Sequence, residues 1–215
     1  MIEETFKGLN RTVADGEVDG VIALRGPDKN GLYTLVGAVA FEDPSAIEKE
    51  LKTLFKEKLP PEQRVIFNLD IAKVGNTNIH QVKIGGFLPP EAQKIFGEEA
   101  SLTLAFAPNG IFVAFGPDAV NTMKTALEVK KGPSAPLDVV INPSRLGKLI
   151  TALGKEPPPG FGSQDKVISV FAVSLEGGKE LRLRFSTNLK WMEGLGGTLL
   201  EGLGGASVPS KPPKD

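Results

Sequence analysis

The chain has 215 residues, 40% hydrophobic and 24% charged, a globular composition that argues against general disorder. Its 25 basic and 26 acidic side chains leave a formal net charge of -1, so no global attraction to nucleic acid or an anionic membrane is expected. With no cysteine, disulfide frameworks, thiolate nucleophiles and cysteine-held metals are excluded, and no apolar run approaches the ~18 residues of a membrane span.

The opening MIEETFKGLN has neither a basic n-region nor an apolar h-region, so no signal peptide is predicted. Ile2, Phe6, Leu9 and Val13 make a weak helical stripe. Val21 to Arg25 and Leu32 to Phe41 flank GPDKNG and predict a first hairpin, with Gly31 at the turn exit. The second strand runs into a helix at Asp43-Pro44, an N-cap followed by proline at the first helical position. Within that helix Ile47, Leu51 and Leu54 share one face, while Lys49 to Lys58 with Glu48, Glu50 and Glu57 read as a solvated face.

Val65 to Lys73 and Ile79 to Ile84 flank GNTN as a second hairpin, and Pro90 to Phe96 is a short helix closed by Gly97. Leu102 to Phe106 and Ile111 to Phe115 flank APNG, whose Asn109-Gly110 is the best short hairpin signal in the chain. Gly116-Pro117 and Asn142-Pro143 repeat the cap-and-proline start, so a strand feeding a helix occurs three times, at unequal intervals that argue against a solenoid. GKEPPPGFGS, residues 154–163, is a stiff exposed connection. Val167 to Leu175 and Leu181 to Ser186 flank EGGK as a last hairpin, with Arg182 and Arg184 on its wet side. The segment 189–205 repeats EGLGG in a glycine-rich helical pattern, and the tail 206–215 is expected to be disordered.

Catalytic constellations are scarce. The single histidine, His80 in NIHQVKI, shares strand parity with Val82 and Ile84, and a histidine in a sheet is more often packed than catalytic. There is no G-x-S-x-G elbow, no convincing S-x-x-K, no calcium loop and no P-loop; EGLGGTLLEGLGG mimics a dinucleotide fingerprint without its preceding strand. Asp15, Glu17 and Asp19 alternate in ADGEVDG, which reads as a solvated approach to the first strand rather than a hard-cation site. Asp70, Glu98, Glu99 and Asp138 are carboxylates from which a hydrolytic pair could be built, but nothing singles out two of them. No catalytic residue, cofactor or metal is therefore assigned. Exposed aromatics interleaved with basic residues, the mark of single-stranded nucleic acid binding, are missing too.

Four stretches, VDGVIALRGPDKNGLYTLVGAVAFEDPSAIEKEL, NIHQVKIGGFLPPEAQKIFG, IFVAFGPDAV and INPSRLGKLI, together resemble a group of uncharacterised exported proteins of planctomycete-type bacteria, over most of residues 18–190. The resemblance implies a periplasmic or cell-surface location and a longer precursor, and it offers no catalytic residues.

The expected architecture is α+β: one curved antiparallel sheet of about nine strands, with helices packed on one face, in a single domain over 1–205 or two halves meeting near 98–101. The expected function is a non-enzymatic extracytoplasmic binding or interaction module. A carrier of a small apolar ligand or lipid in the sheet concavity is the first alternative, with Leu195, Leu199 and Leu203 as a removable lid. A hydrolase using carboxylate chemistry is the second. Partner, ligand and oligomeric state are not legible at this level.

Overall fold

A computed structural model of the chain describes residues 19–130, 137–158, 161, 171–176 and 182–187. The N-terminal stripe, Asp15, Glu17, the glycine-rich segment 189–205 and the tail 206–215 lie outside the described residues. The chain divides into two compact units, 1–131 and 132–215.

In the first unit, three hairpins form one antiparallel sheet. They are β1 (Gly20–Arg25) with β2 (Thr34–Ala40), β3 (Phe67–Val74) with β4 (Thr77–Lys83), and β5 (Ser101–Ala107) with β6 (Gly110–Gly116). The strand order is β1-β2-β6-β5-β4-β3, so the first hairpin sits beside the third and the sheet runs straight through the 98–101 segment. The second unit holds a separate three-stranded antiparallel sheet, β7 (Leu137–Ile141), β8 (Phe171–Glu176) and β9 (Arg182–Thr187), in the order β7-β8-β9. The nine strands expected in one curved sheet thus fall into sheets of six and three. A twisted sheet seldom grows to nine strands without splitting.

Local grammar explains the helices. Helix α1 (Pro44–Thr53) begins at Asp43, whose carboxylate accepts from the Ala46 N–H at 3.4 Å. It runs into a wider turn over Leu54–Lys58, followed by the single turn α2 (Pro61–Arg64). Helix α3 (Pro90–Phe96) ends at Gly97, which has a positive φ of 82°. Helix α5 (Pro143–Ala152), in the second unit, is capped by Asn142, which accepts from the Arg145 N–H at 3.0 Å. At Gly116-Pro117 the expected start is wrong. Gly116 is the last residue of β6, and α4 (Ala119–Glu128) begins after Asp118 instead. Gly116 adopts φ 139°, and a Cβ there would meet the Tyr33 carbonyl oxygen at 2.6 Å, so glycine serves the close approach to β2 rather than a cap.

The helices of the first unit occupy both faces of its sheet, not one. Ile79 packs in the core cluster with Ala105, Ala114, Ala119 and Met123, which places α4 over the face carrying Ile79. His80, the next residue on the strand, points the other way and meets Glu48 of α1. On that α1 face, cross-strand rows read Ile22, Gly37, Val113, Leu104, His80 and then Leu24, Leu35, Phe115, Leu102, Val82, Phe67. Phe55 stacks on Phe67 with ring centroids 4.0 Å apart, and Phe96 of α3 on Phe115 at 4.6 Å. Burying both faces of the central strands explains why β5 carries apolar or small side chains at nearly every position.

Candidate functional site

Two features stand out from the packing of the first unit: a polar cluster around the buried His80 at the β3 edge, and the strand at the opposite edge, whose outer side no described strand covers.

The cluster begins with a bulge. Asn68 pairs with Gln81 and Ala72 with Ile79, so three residues of β3 (Leu69, Asp70, Ile71) span the single residue His80. Asp70 takes the left-handed conformation, φ 55°, which leaves its N–H without a ladder partner. His80 Nδ1 accepts that N–H at 3.1 Å. The ring is 1% exposed, and its Nε2 lies 3.2 Å from Glu48 Oε1. The same Glu48 oxygen accepts from Lys52 Nζ at 2.7 Å and from Asn78 Nδ2 at 3.2 Å, while Lys52 Nζ also reaches Asp70 Oδ1 at 2.7 Å.

This arrangement sets the protonation states. A backbone N–H can only donate, so Nδ1 is unprotonated and the neutral ring carries its hydrogen on Nε2, donated to Glu48. Burial pushes the His80 pKa below its ordinary value, and the neighbouring Lys52 cation adds to this against the opposing pull of Asp70 and Glu48. Burial alone would raise Glu48 and Asp70, but the Lys52 hydrogen bonds, aided at Glu48 by Asn78, bring both carboxyls below their usual range. Burial likewise works against the Lys52 ammonium, yet its bonds to Asp70 and Glu48 win and hold its pKa up.

Glu48, Asp70 and His80 bring potential ligand atoms within 4.8 Å of one another, and their chemistry does not fit a metal. The Lys52 ammonium bridges the two carboxylates where a cation would sit. A metal on Nε2 would require that nitrogen to be the unprotonated one, which turns a protonated Nδ1 against the Asp70 N–H. Nor is a ring nitrogen left over for acid–base work, since both are committed and the ring is enclosed. The open recess above α1, about 360 Å³, is lined by polar and charged residues, Ser45, Glu48, Lys49, Lys52, Thr53, Lys56 and Glu57. The cluster pins the bulge and docks α1.

The opposite edge is β1, and all six of its residues are exposed, with Val21 at 65%, Ile22 at 74% and Leu24 at 41%. Among the described residues no strand pairs with its outer side. Which groups point outward follows from one hydrogen bond. The Asp19 carbonyl accepts the Ala40 N–H at 2.8 Å, and Asp19 and Ala40 stand directly opposite in the Gly20↔Val39 register. Hydrogen-bonded and non-bonded pairs alternate along an antiparallel ladder. Asp19, Val21, Ala23 and Arg25 therefore spend their backbone groups on β2, and Gly20, Ile22 and Leu24 turn theirs outward.

The sequence-level candidates are distributed accordingly. His80 is more deeply enclosed than a half-buried strand histidine. Asp70 meets Glu48 through Lys52, whereas Glu98 and Glu99 lie exposed in the turn before β5, and Asp138 lies on β7 of the second unit. Asp19 is the residue leading into β1, held to β2 through its carbonyl. Leu195, Leu199 and Leu203, proposed as a lid, lie outside the described residues. Glu48 and Lys52 belong to the helix face expected to be solvated, and their i,i+4 spacing is the sequence signal that they act together. Among the described residues no helix is long and apolar enough to cross a membrane. A scan against protein-family models, a search of curated proteins and a search of solved structures each returned no match.

Proposed function

We propose that this protein is an interaction module that captures an extended polypeptide segment along β1 of its six-stranded sheet. The supporting observation is an asymmetry between the two edges. Sheet edges are templates for further pairing, and proteins ordinarily guard them with charge, proline or bulges. At the β3 edge the guard is present: a bulge with a left-handed Asp70, an ion pair to Lys52, and Lys73 on the strand. At the β1 edge the strand GVIALR has no proline, no bulge and one charged residue at its end. An apolar, regular edge with three outward-facing residues is what strand addition uses, the main chain supplying affinity and the alternating side chains supplying selectivity. The resemblance to exported proteins favours an extracytoplasmic setting for this module.

The test is selection from a random peptide library against wild-type protein, with binders rescreened on Ile22→Pro. Proline at 22 deletes an outward N–H and no bond to β2, so the fold is retained while capture is lost. Binders that hold equally well to Ile22→Pro and to Ile22→Lys would overturn the reading. Ala23→Pro is the internal control: it removes an N–H that β2 uses, and it should destabilise the first unit by about 1–3 kcal/mol.

A further inference from the structure

The stretch from Asp19 to Arg25, DGVIALR, is complementary to itself in the register that uses all three of its outward-facing residues. We infer that the segment captured on β1 is β1 of a second copy of this chain, giving a two-fold dimer with the axis passing through Ile22. The inference rests on the strand-capture reading and names its partner.

Three constraints fix the register. A two-fold axis perpendicular to a sheet keeps each copy's faces continuous, so residues placed opposite each other must share a face. The new hydrogen-bonded pairs must use Gly20, Ile22 and Leu24, whose backbone groups point outward. Centring the axis on Ile22 satisfies both and uses all three residues: Ile22 faces Ile22 of the second copy, Gly20 faces Leu24, and Leu24 faces Gly20. Between these, on the α4 face, Val21 stands opposite Ala23.

The third constraint is charge. One step beyond, the same register sets Arg25 opposite Asp19 of the other copy, on one face and twice by symmetry. Shifting the axis to Ala23 keeps the faces matched but leaves Gly20 without an outward partner in β1 and sets Arg25 against Val21. A partner other than this chain has no reason to match both the apolar rows and the placement of the two charges. The product is a continuous sheet built from the six strands of each copy.

The experiment uses the full chain, in which an introduced cysteine is the sole thiol. Ile22→Cys places two Cα atoms about 5.5 Å apart across the axis, within disulfide reach, so mild oxidation should convert the protein to a covalent dimer. Leu24→Cys sets its thiols four residues out of register, about 13 Å apart along the strand, and should stay uncrosslinked. Sedimentation equilibrium gives the second readout. Arg25→Glu should weaken self-association about tenfold by opposing like charges, and adding Asp19→Lys to it should recover the loss. Asp19, Ile22, Leu24 and Arg25 are all exposed, so these changes lie outside the core.

A protein that sediments as a monomer at every concentration overturns the second-copy inference. So does crosslinking through Leu24→Cys in place of Ile22→Cys, or an Asp19→Lys/Arg25→Glu pair no better than its parent. A monomer that still binds library peptides in an Ile22→Pro-sensitive way refutes the dimer alone and leaves strand capture standing. A dimer insensitive to Ile22→Pro forms through another surface and refutes the second-copy inference, and strand capture falls with it only if the library binders are equally insensitive.

Discussion

Replacing His80 with glutamine should change how stability depends on pH, and the single histidine makes the effect separable. In the folded first unit the ring is enclosed and held neutral, with its pKa lowered chiefly by burial. In the unfolded chain it titrates near 6.5. A depressed folded pKa means that the unfolded state takes up the proton first. The His80 contribution is therefore fully present above pH 6.5 and is lost as pH falls from there toward the folded value. Below the unfolded pKa the unfolding free energy should drop by up to about 1.4 kcal/mol per pH unit, the limit for one proton. Glu48 and Asp70 are lowered as well, so their contribution is present above about pH 4.3 and is lost only below it. Just below pH 6.5, where Glu48 and Asp70 stay ionised in both states, the cluster's share of the slope comes from His80. Urea unfolding followed by circular dichroism at half-unit pH steps measures it, and His80→Gln should flatten the curve in that window, with a cost of about 1–3 kcal/mol at pH 7.5 from the disturbed bonds to Asp70 and Glu48. Nitrogen NMR of the imidazole should find hydrogen on Nε2 in the neutral ring and a titration midpoint below 6.5. A ring that titrates at 6.5 or above in the folded protein, or parallel slopes for the two proteins, would refute the enclosure of His80.

Two further substitutions probe the local rules. Gly116→Ala should destabilise the first unit by more than ~2 kcal/mol in urea unfolding, because φ 139° and a 2.6 Å approach to the Tyr33 carbonyl leave no room for a methyl group. Asn142→Ala should cost α5 about 1 kcal/mol in the same assay by removing a side-chain cap, while Asp118→Ala should cost α4 clearly less, since Asp118 makes no such cap bond.

What the sequence disclosed was local. GPDKNG and Asn109-Gly110 place hairpins because turn chemistry acts over a few residues, and Asp43-Pro44 and Asn142-Pro143 place helix starts for the same reason. Gly116-Pro117 misled because the same dipeptide grammar also suits a strand end that a neighbouring backbone crowds. The α+β composition and strand number were legible, but the partition into two sheets was not, since pairing of β2 with β6 joins residues 70 to 80 apart and leaves no mark on either strand. The site was hidden in a different way. A left-handed Asp70 has no sequence signature, and without the bulge there is no orphan N–H for His80 to accept. Glu48 and Lys52 look like any exposed ion pair until the strand beneath them is known. That β1 ends a sheet is likewise invisible in VIALR, which would read identically in the middle of one.

The contrast between the two edges also bears on stoichiometry. A molecule with two receptive sides can add neighbours at both and grow into a ribbon of any length. Here the receptive side is consumed when two copies meet, and each outer boundary of the joined sheet is then a β3, interrupted at Asp70. The kink that His80 and Lys52 hold in place thus acts as a terminator, making two the natural end of growth and keeping an otherwise aggregation-prone apolar strand from seeding a fibre.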